Sequence, residues 1–152
     1  MISFLGEYES TLDSKGRFLL PAGFKKQLLE EGGNMFVINR GFEKCLALYP
    51  KPSWDPIFER ISKLNDFEAN VRQFRRHFLN GAIEIELDSA NRLNIPKNLI
   101  EYAGLEKDIV LVSAVNKLEI WDKKKYQQIF EDFDPSSFSS LASSVMGGNI
   151  SE

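Results

Sequence analysis

Two short stretches of the chain set an aspartate and an arginine four residues apart around a tight reversal: Asp13-Ser14-Lys15-Gly16-Arg17 and Asp88-Ser89-Ala90-Asn91-Arg92. At the start of a turn, an aspartate accepts backbone N–H bonds from the residues just after it, and an arginine beside it can close the loop as an ion pair. Asp13, Ser14 and Gly16, with Asp88, Ser89 and Asn91, therefore read as turn-shaping residues; glycine or asparagine can take the positive φ that most side chains resist. The arginines read differently. A guanidinium held at a turn tip presents a planar fork of donors that suits guanine O6 and N7 or a phosphate, and a neighbouring lysine adds a phosphate contact. Lys15 and Arg17 are the primary candidates for touching nucleic acid. Arg92 is the weaker one, because its turn carries Ala90 where the first carries Lys15.

The same aspartates admit an enzymatic reading, since aspartic hydrolases use two carboxylates from related halves sharing one proton. Their loops carry glycine directly after the Ser or Thr, where this chain has Lys15 and Ala90. A lysine and an arginine beside the dyad would also favour ionising both carboxylates. Other chemistries lack raw material. Cys45 is the only cysteine and His77 the only histidine, so disulfides, thiol redox pairs and histidine-based zinc sites have nothing to build on. No catalytic residue, metal, cofactor or small-molecule ligand is expected.

The elements that position these turns follow from an internal repeat. Residues 8–21 align without a gap on 83–96, matching Leu12, Asp13, Ser14, Arg17 and Pro21 with Leu87, Asp88, Ser89, Arg92 and Pro96. Downstream, Phe36-Val37-Ile38 matches Ile109-Val110-Leu111, and Leu46-Ala47-Leu48-Tyr49 matches Leu118-Glu119-Ile120-Trp121. In each copy a strand of period two (Tyr8, Ser10, Leu12; Ile83, Ile85, Leu87) leads into the turn. A second short strand leaves it, and a helix starts at Pro21 or Pro96, where a missing N–H costs little. Phe24 with Leu28, and Leu99 with Ala103, give these helices an inner face; Gly32-Gly33 and Gly104 are expected stops.

Next in each copy come a hairpin (Met35–Asn39 with Cys45–Tyr49; Ile109–Ser113 with Lys117–Trp121) and a helix capped by Ser53 or Asp122. Pro56 is expected in the first turn of the earlier helix. A linking helix, 66–80, puts Phe67, Val71, Phe74 and Phe78 on one side and ends at Gly81. Its Arg72, Arg75 and Arg76 read as a solvated face, as do Lys25, Lys26, Arg40 and Lys44, and His77 reads as a plain helix residue. The expected organisation is one domain over 1–133, with repeats at 4–64 and 82–133, and a mobile, Ser- and Gly-rich tail over 134–152. Neither copy can cover its own apolar face. Two related by a pseudo-twofold axis can interleave strands into one closed barrel with no free edges, an α+β, mainly β fold flanked by short helices.

The net charge of −3, from 19 Lys and Arg against 22 Asp and Glu, argues against a nucleic-acid partner on average, though a local cluster can carry the opposite sign. No stretch is apolar enough for a membrane helix, and the N-terminus lacks a signal-peptide pattern. A reducing cytoplasm fits best.

Together these residues resemble the MraZ family, bacterial regulators of the division and cell-wall gene cluster. The likeness rests on Phe4-Leu5-Gly6-Glu7-Tyr8, Leu12 to Arg17 with Pro21, Asn39-Arg40-Gly41, Cys45 to Pro50, Arg72 to Phe78 with Gly81-Ala82, Tyr102 to Leu105 and Glu119-Ile120-Trp121. It implies an AbrB-like swapped-hairpin barrel and ring-shaped homo-oligomers. It also implies nucleoid-associated binding of double-stranded DNA at short G-rich direct repeats in the chain's own promoter, usually with repression. Transferred to this chain, the family's DNA-contact motif falls on Lys15 and Arg17, with Arg92 at the second turn. Ala90-Asn91 departs from the glycine that members often carry before the arginine. An antitoxin of the swapped-hairpin type is the remaining alternative, but such proteins usually carry one copy and a long toxin-wrapping arm.

Overall fold

The computed structural model describes residues 3–28, 33–131 and 133–147. They divide into two compact units, Met1–Asp122 and Lys123–Glu152. The first holds both turns. Its elements run β1 (Glu7–Thr11), β2 (Arg17–Leu19), α1 (Ala22–Leu28), β3 (Met35–Arg40), β4 (Leu46–Pro50), α2 (Lys51–Ser62), α3 (Ala69–Leu79), β5 (Ile83–Glu86), β6 (Arg92–Asn94), α4 (Lys97–Ala103), β7 (Asp108–Ser113) and β8 (Leu118–Asp122). The fold is α+β, with most strands in one antiparallel sheet of order β1-β7-β8-β4-β3-β5; β2 and β6 form a separate two-stranded ribbon.

The copies exchange strands. β1 of the first pairs with β7 of the second, and β5 of the second pairs with β3 of the first, in matching register: Tyr8 faces Leu111 and Ile83 faces Ile38. Two pairs made of equivalent residues, Ala47–Glu119 between β4 and β8 and Phe18–Leu93 between β2 and β6, mark where the pseudo-twofold axis passes. The strands do not, however, join into one closed ladder among the described residues; a six-stranded sheet and a ribbon stand in place of the expected barrel. The ribbon meets the sheet through side chains. Phe18 and Leu93 are buried in one core with Phe24, Leu99, Phe36, Ile38, Leu46, Leu48, Ile109, Leu111, Leu118 and Ile120. Apolar burial on that scale is what holds a small ribbon in place, at about 25 cal/mol per Å².

The strands β3 and β4 are buried on both faces, which explains their near-continuous apolar runs. Their other side, Val37, Ala47 and Tyr49, meets Trp54 and Ile61 of α2 and Phe78 of α3, with the Trp54 and Phe78 rings stacked at 5.6 Å.

Several boundaries differ from expectation. The first long helix starts at Lys51 behind Pro50, without a side-chain cap, so Ser53 lies inside it and is not its N-cap. Pro52 supplies the preset φ of a first turn. Pro56 consequently falls inside the helix, leaving the Pro52 carbonyl without its usual donor. The linking helix begins at Ala69, because the Asn65 side chain accepts the Phe67 N–H in a local turn; Phe67 is 92% exposed and off the helix. Asp122 ends β8 and accepts the Glu106 N–H at 3.1 Å. Gly104 ends α4 at φ 61, in the left-handed conformation. Of the stop expected at Gly32-Gly33, Gly32 lies outside the described residues and Gly33 takes φ 63.

The second unit contains α5 (Lys123–Glu131) and α6 (Pro135–Met146). Where composition suggested a mobile tail after Phe133, α6 forms: the Asp134 carboxylate caps it through the Ser137 N–H at 2.7 Å, and Pro135 occupies its first turn.

Candidate nucleic-acid interface

Both turns are closed in the same way. Asp13 Oδ1 accepts the backbone N–H groups of Lys15 and Arg17, each at 2.9 Å, and Oδ2 accepts Arg17 Nε–H at 2.7 Å. Asp88 repeats the clamp on Ala90 at 2.9 Å, the Arg92 backbone at 2.8 Å and Arg92 Nε at 3.0 Å. Gly16 and Asn91 sit at φ 79 and φ 63, where an ordinary side chain would be strained. The hydroxyls of Ser14 and Ser89 are exposed and make none of these bonds. The first cause holding the Asp13 carboxyl below its ordinary value is the Arg17 backbone N–H; for Asp88 it is that of Arg92. Each carboxylate is thus ionised against its own arginine, unlike a dyad sharing one proton.

The clamp fixes each guanidinium through Nε and leaves Nη1 and Nη2 without a partner among the described residues. In the ribbon Arg17 pairs with Asn94 and Leu19 with Arg92, while Phe18 and Leu93 point into the core. Strand alternation therefore places Arg17, Leu19, Arg92 and Asn94 together on the outer face. Lys15 stands exposed at the first tip, where its carbonyl accepts the Asn94 Nδ2–H at 3.3 Å. The structure thus brings Lys15, Arg17 and Arg92 to one ribbon, with Asn94 added to them.

The second addition is Lys25, which sequence reading treated as an ordinary surface charge. Its Nζ donates to Asn91 Oδ1 at 2.6 Å, tying helix α1 of the first copy to the turn of the second. The helix position that matches Lys25 in the second copy is Ile100, whose Cδ1 lies against Gly16: a Cβ there would be 3.0 Å from it. Only the alignment of the repeats, taken with the crossing of the strands, could have exposed this exchange.

The other basic residues have different work. Arg75 ties the end of α2 to α3, donating to the carbonyls of Ile61 at 2.9 Å and Leu64 at 2.7 Å and to the Asp66 carboxylate. Arg72 donates to the Asp66 carbonyl at 2.8 Å, while Arg76 and His77 are exposed. Arg40 donates to the Asn80 carbonyl and, with Lys44, lies over the Tyr102 ring. Burial pushes the Cys45 thiol up to about 12, which keeps it protonated and unreactive. Among the described residues no group of His, Cys, Asp and Glu could hold a metal ion, and no helix is long and apolar enough to cross a membrane.

Comparison with known proteins adds a family. A family model for MraZ protein, described as antitoxin-like, matches twice, over residues 3–77 and 78–146. A protein of Christiangramia forsetii named transcriptional regulator MraZ is 45% identical over 150 residues, covering 98% of this chain and 96% of that protein. The protein of the same name from Flavobacterium psychrophilum is 46% identical over 151 residues, covering 97% and 94%. That from Natranaerobius thermophilus is 39% identical over 147 residues, covering 97% and 99%.

Proposed function

The chain belongs to the MraZ family, and from that premise we propose that it regulates transcription by gripping double-stranded DNA with the β2–β6 ribbon and its two turns. It is a transcriptional regulator and not an enzyme. The observation that carries the DNA reading is a pair of arginines, each clamped at Nε and open at both Nη atoms, on the outer face of a two-stranded ribbon. The major groove of B-DNA admits such a ribbon, and an Arg fork fits guanine O6 and N7. Arg17 and Arg92 are the base-reading residues of this proposal, and Lys15 is a phosphate contact. Asp13, Gly16, Asp88 and Asn91 hold the tips in shape.

The finer parts rest on the family resemblance. On that resemblance the two copies, 4–64 and 82–133, form one AbrB-like swapped-hairpin unit, here with its strands split between a sheet and a ribbon, joined through α3 and followed by the segment 134–152. The chain assembles into a ring and binds short G-rich direct repeats upstream of its own gene, repressing a division and cell-wall cluster in the cytoplasm at the nucleoid. A ring also reconciles DNA binding with a net charge of −3. Several subunits presenting one cationic edge to successive repeats gain about 10²–10⁴ in avidity, while the acidic body suppresses non-specific contact.

An electrophoretic mobility shift tests the proposal, using DNA from upstream of the protein's own gene beside scrambled DNA at equal salt. Wild type should bind the first selectively, and Arg17→Ala should lose that binding while keeping its assembly state in size-exclusion chromatography. Absence of selective wild-type binding would overturn the reading; an Arg17→Ala protein that unfolds or falls apart would make Arg17 structural.

A further inference from the structure

We infer that the second turn is a DNA-phosphate site assembled from both copies, in which Lys25 of the first supplies the cation that Ala90 of the second lacks. This rests on the DNA-binding reading above and extends it to a residue outside the turn motif. In the first turn the lysine beside the arginine comes from the turn itself, as Lys15. In the second, the Lys25 ammonium reaches across the pseudo-twofold interface and is held at 2.6 Å by the side chain of Asn91, the residue directly before Arg92.

The choice of partner matters. A carboxylate would cancel the charge of the lysine, whereas the amide oxygen of Asn91 is neutral and fixes the ammonium while leaving it cationic. Of the three ammonium donors one is engaged, so the remaining two stay open to a phosphate oxygen. The Asn91 Nδ2 group has no partner among the described residues and is a further donor at the same spot. Asn91 holds a left-handed backbone, φ 63, and its side chain meets α1 at Lys25. At the matching place in the first turn Gly16 has no side chain and meets the apolar Ile100. The Asn–Lys and Gly–Ile combinations are therefore alternative fillings of one symmetric position, and only the first brings charge.

The test compares full-length wild type, Lys25→Gln and Lys25→Arg on two duplexes of equal length, one from upstream of the gene and one scrambled. Dissociation constants are titrated over about 50–200 mM KCl. A phosphate contact is read in the salt dependence: Lys25→Gln should flatten the slope of log K against log salt by roughly 0.9 per Lys25 engaged. It should weaken both duplexes by the same factor, and Lys25→Arg should restore the slope. A Lys25→Gln protein with the wild-type slope and affinity overturns the inference, as does one whose weaker binding keeps the wild-type slope. A loss confined to thermal stability, rescued by neither charge nor DNA, overturns it too. The two levels separate cleanly: wild type that ignores both duplexes removes the DNA reading and this site with it, whereas binding abolished by Arg17→Ala but untouched by Lys25→Gln removes this site alone.

Discussion

At the first turn Gly16 lies against Ile100 and the neighbouring cation, Lys15, stands free at the tip; at the second, Asn91 adopts the same backbone conformation and carries Lys25 on its side chain. The aspartate clamps beneath them agree to within a few tenths of an ångström, bond for bond. Two levels of constraint are separated by this comparison. The clamp is set by local geometry, since an aspartate that accepts two backbone N–H groups and one guanidinium N–H defines the reversal whatever occupies its tip. The tip is set by what the other copy packs against it, so the halves could diverge there without disturbing the loop.

The largest effect should come from removing both forks. In Arg17→Ala/Arg92→Ala each guanine contact proposed above is removed, at about 1–3 kcal/mol apiece. A mobility-shift titration should then show selectivity gone, while the thermal midpoint falls only by the loss of one Nε–H bond from each clamp. An Arg92→Ala variant that binds as tightly and selectively as wild type would make the second turn idle and break the equivalence.

Next come the tips themselves. Gly16→Val places a branched side chain at φ 79, with its Cβ 3.0 Å from both Ile100 Cδ1 and the Ile95 carbonyl oxygen. Left-handed strain in a non-glycine residue costs about 1–3 kcal/mol, and urea unfolding should register it. The reverse exchange, Asn91→Gly, keeps a permissive backbone and should shift stability by less than about 1 kcal/mol. Equal losses in the two variants would mean that the tips are not differently packed.

The smallest effect is in pH. Both clamping carboxyls titrate below the ordinary 3.8 in the folded chain. Their contribution is therefore fully present above that value and is lost as pH falls through the lower folded values. Acid unfolding followed by circular dichroism should show this loss only below about pH 4, with Asp13→Asn and Asp88→Asn removing similar shares. Unequal shares would show that the clamps differ after all.

The repeat made much of this legible. Alternation of Tyr8, Ser10 and Leu12 gives a strand and its faces, and matching the copies gives the order of elements. Strand pairing was less accessible: period two says which side chains share a face, and only the twofold argument suggested that the copies interleave. Ser53 is a better capping residue than Pro50, yet tertiary packing of Trp54 and Ile61 on β4 fixes a helix that begins earlier. Phe67 has the right spacing for the face of α3, but the Asn65 turn diverts the chain before it. In the last segment, abundant serine masked a local signal, Asp134-Pro135 ahead of Phe138, Leu141 and Val145 at helical spacing. Lys25 is separable from Lys26 only by aligning the repeats and crossing their strands, because nothing near it in sequence distinguishes the two.

The exchanged strands have a consequence for how the chain acquires its structure. Ser10 must wait for Ile109 before β1 has a strand to pair with, and β3 completes its pairing only when Ile83 and Ile85 have been synthesised. During translation the first copy therefore emerges with β1 unsatisfied, and a nascent chain halted at Gly81 exposes strand edges ready to recruit another nascent chain. Loop closure over such separations is slow relative to hairpin formation. The covalent link through α3 makes the correct partner an intramolecular one, present at high effective concentration as soon as it is made. Fusing the two copies thus protects assembly kinetics, so that a gene split at this point should yield halves that mature only when made together.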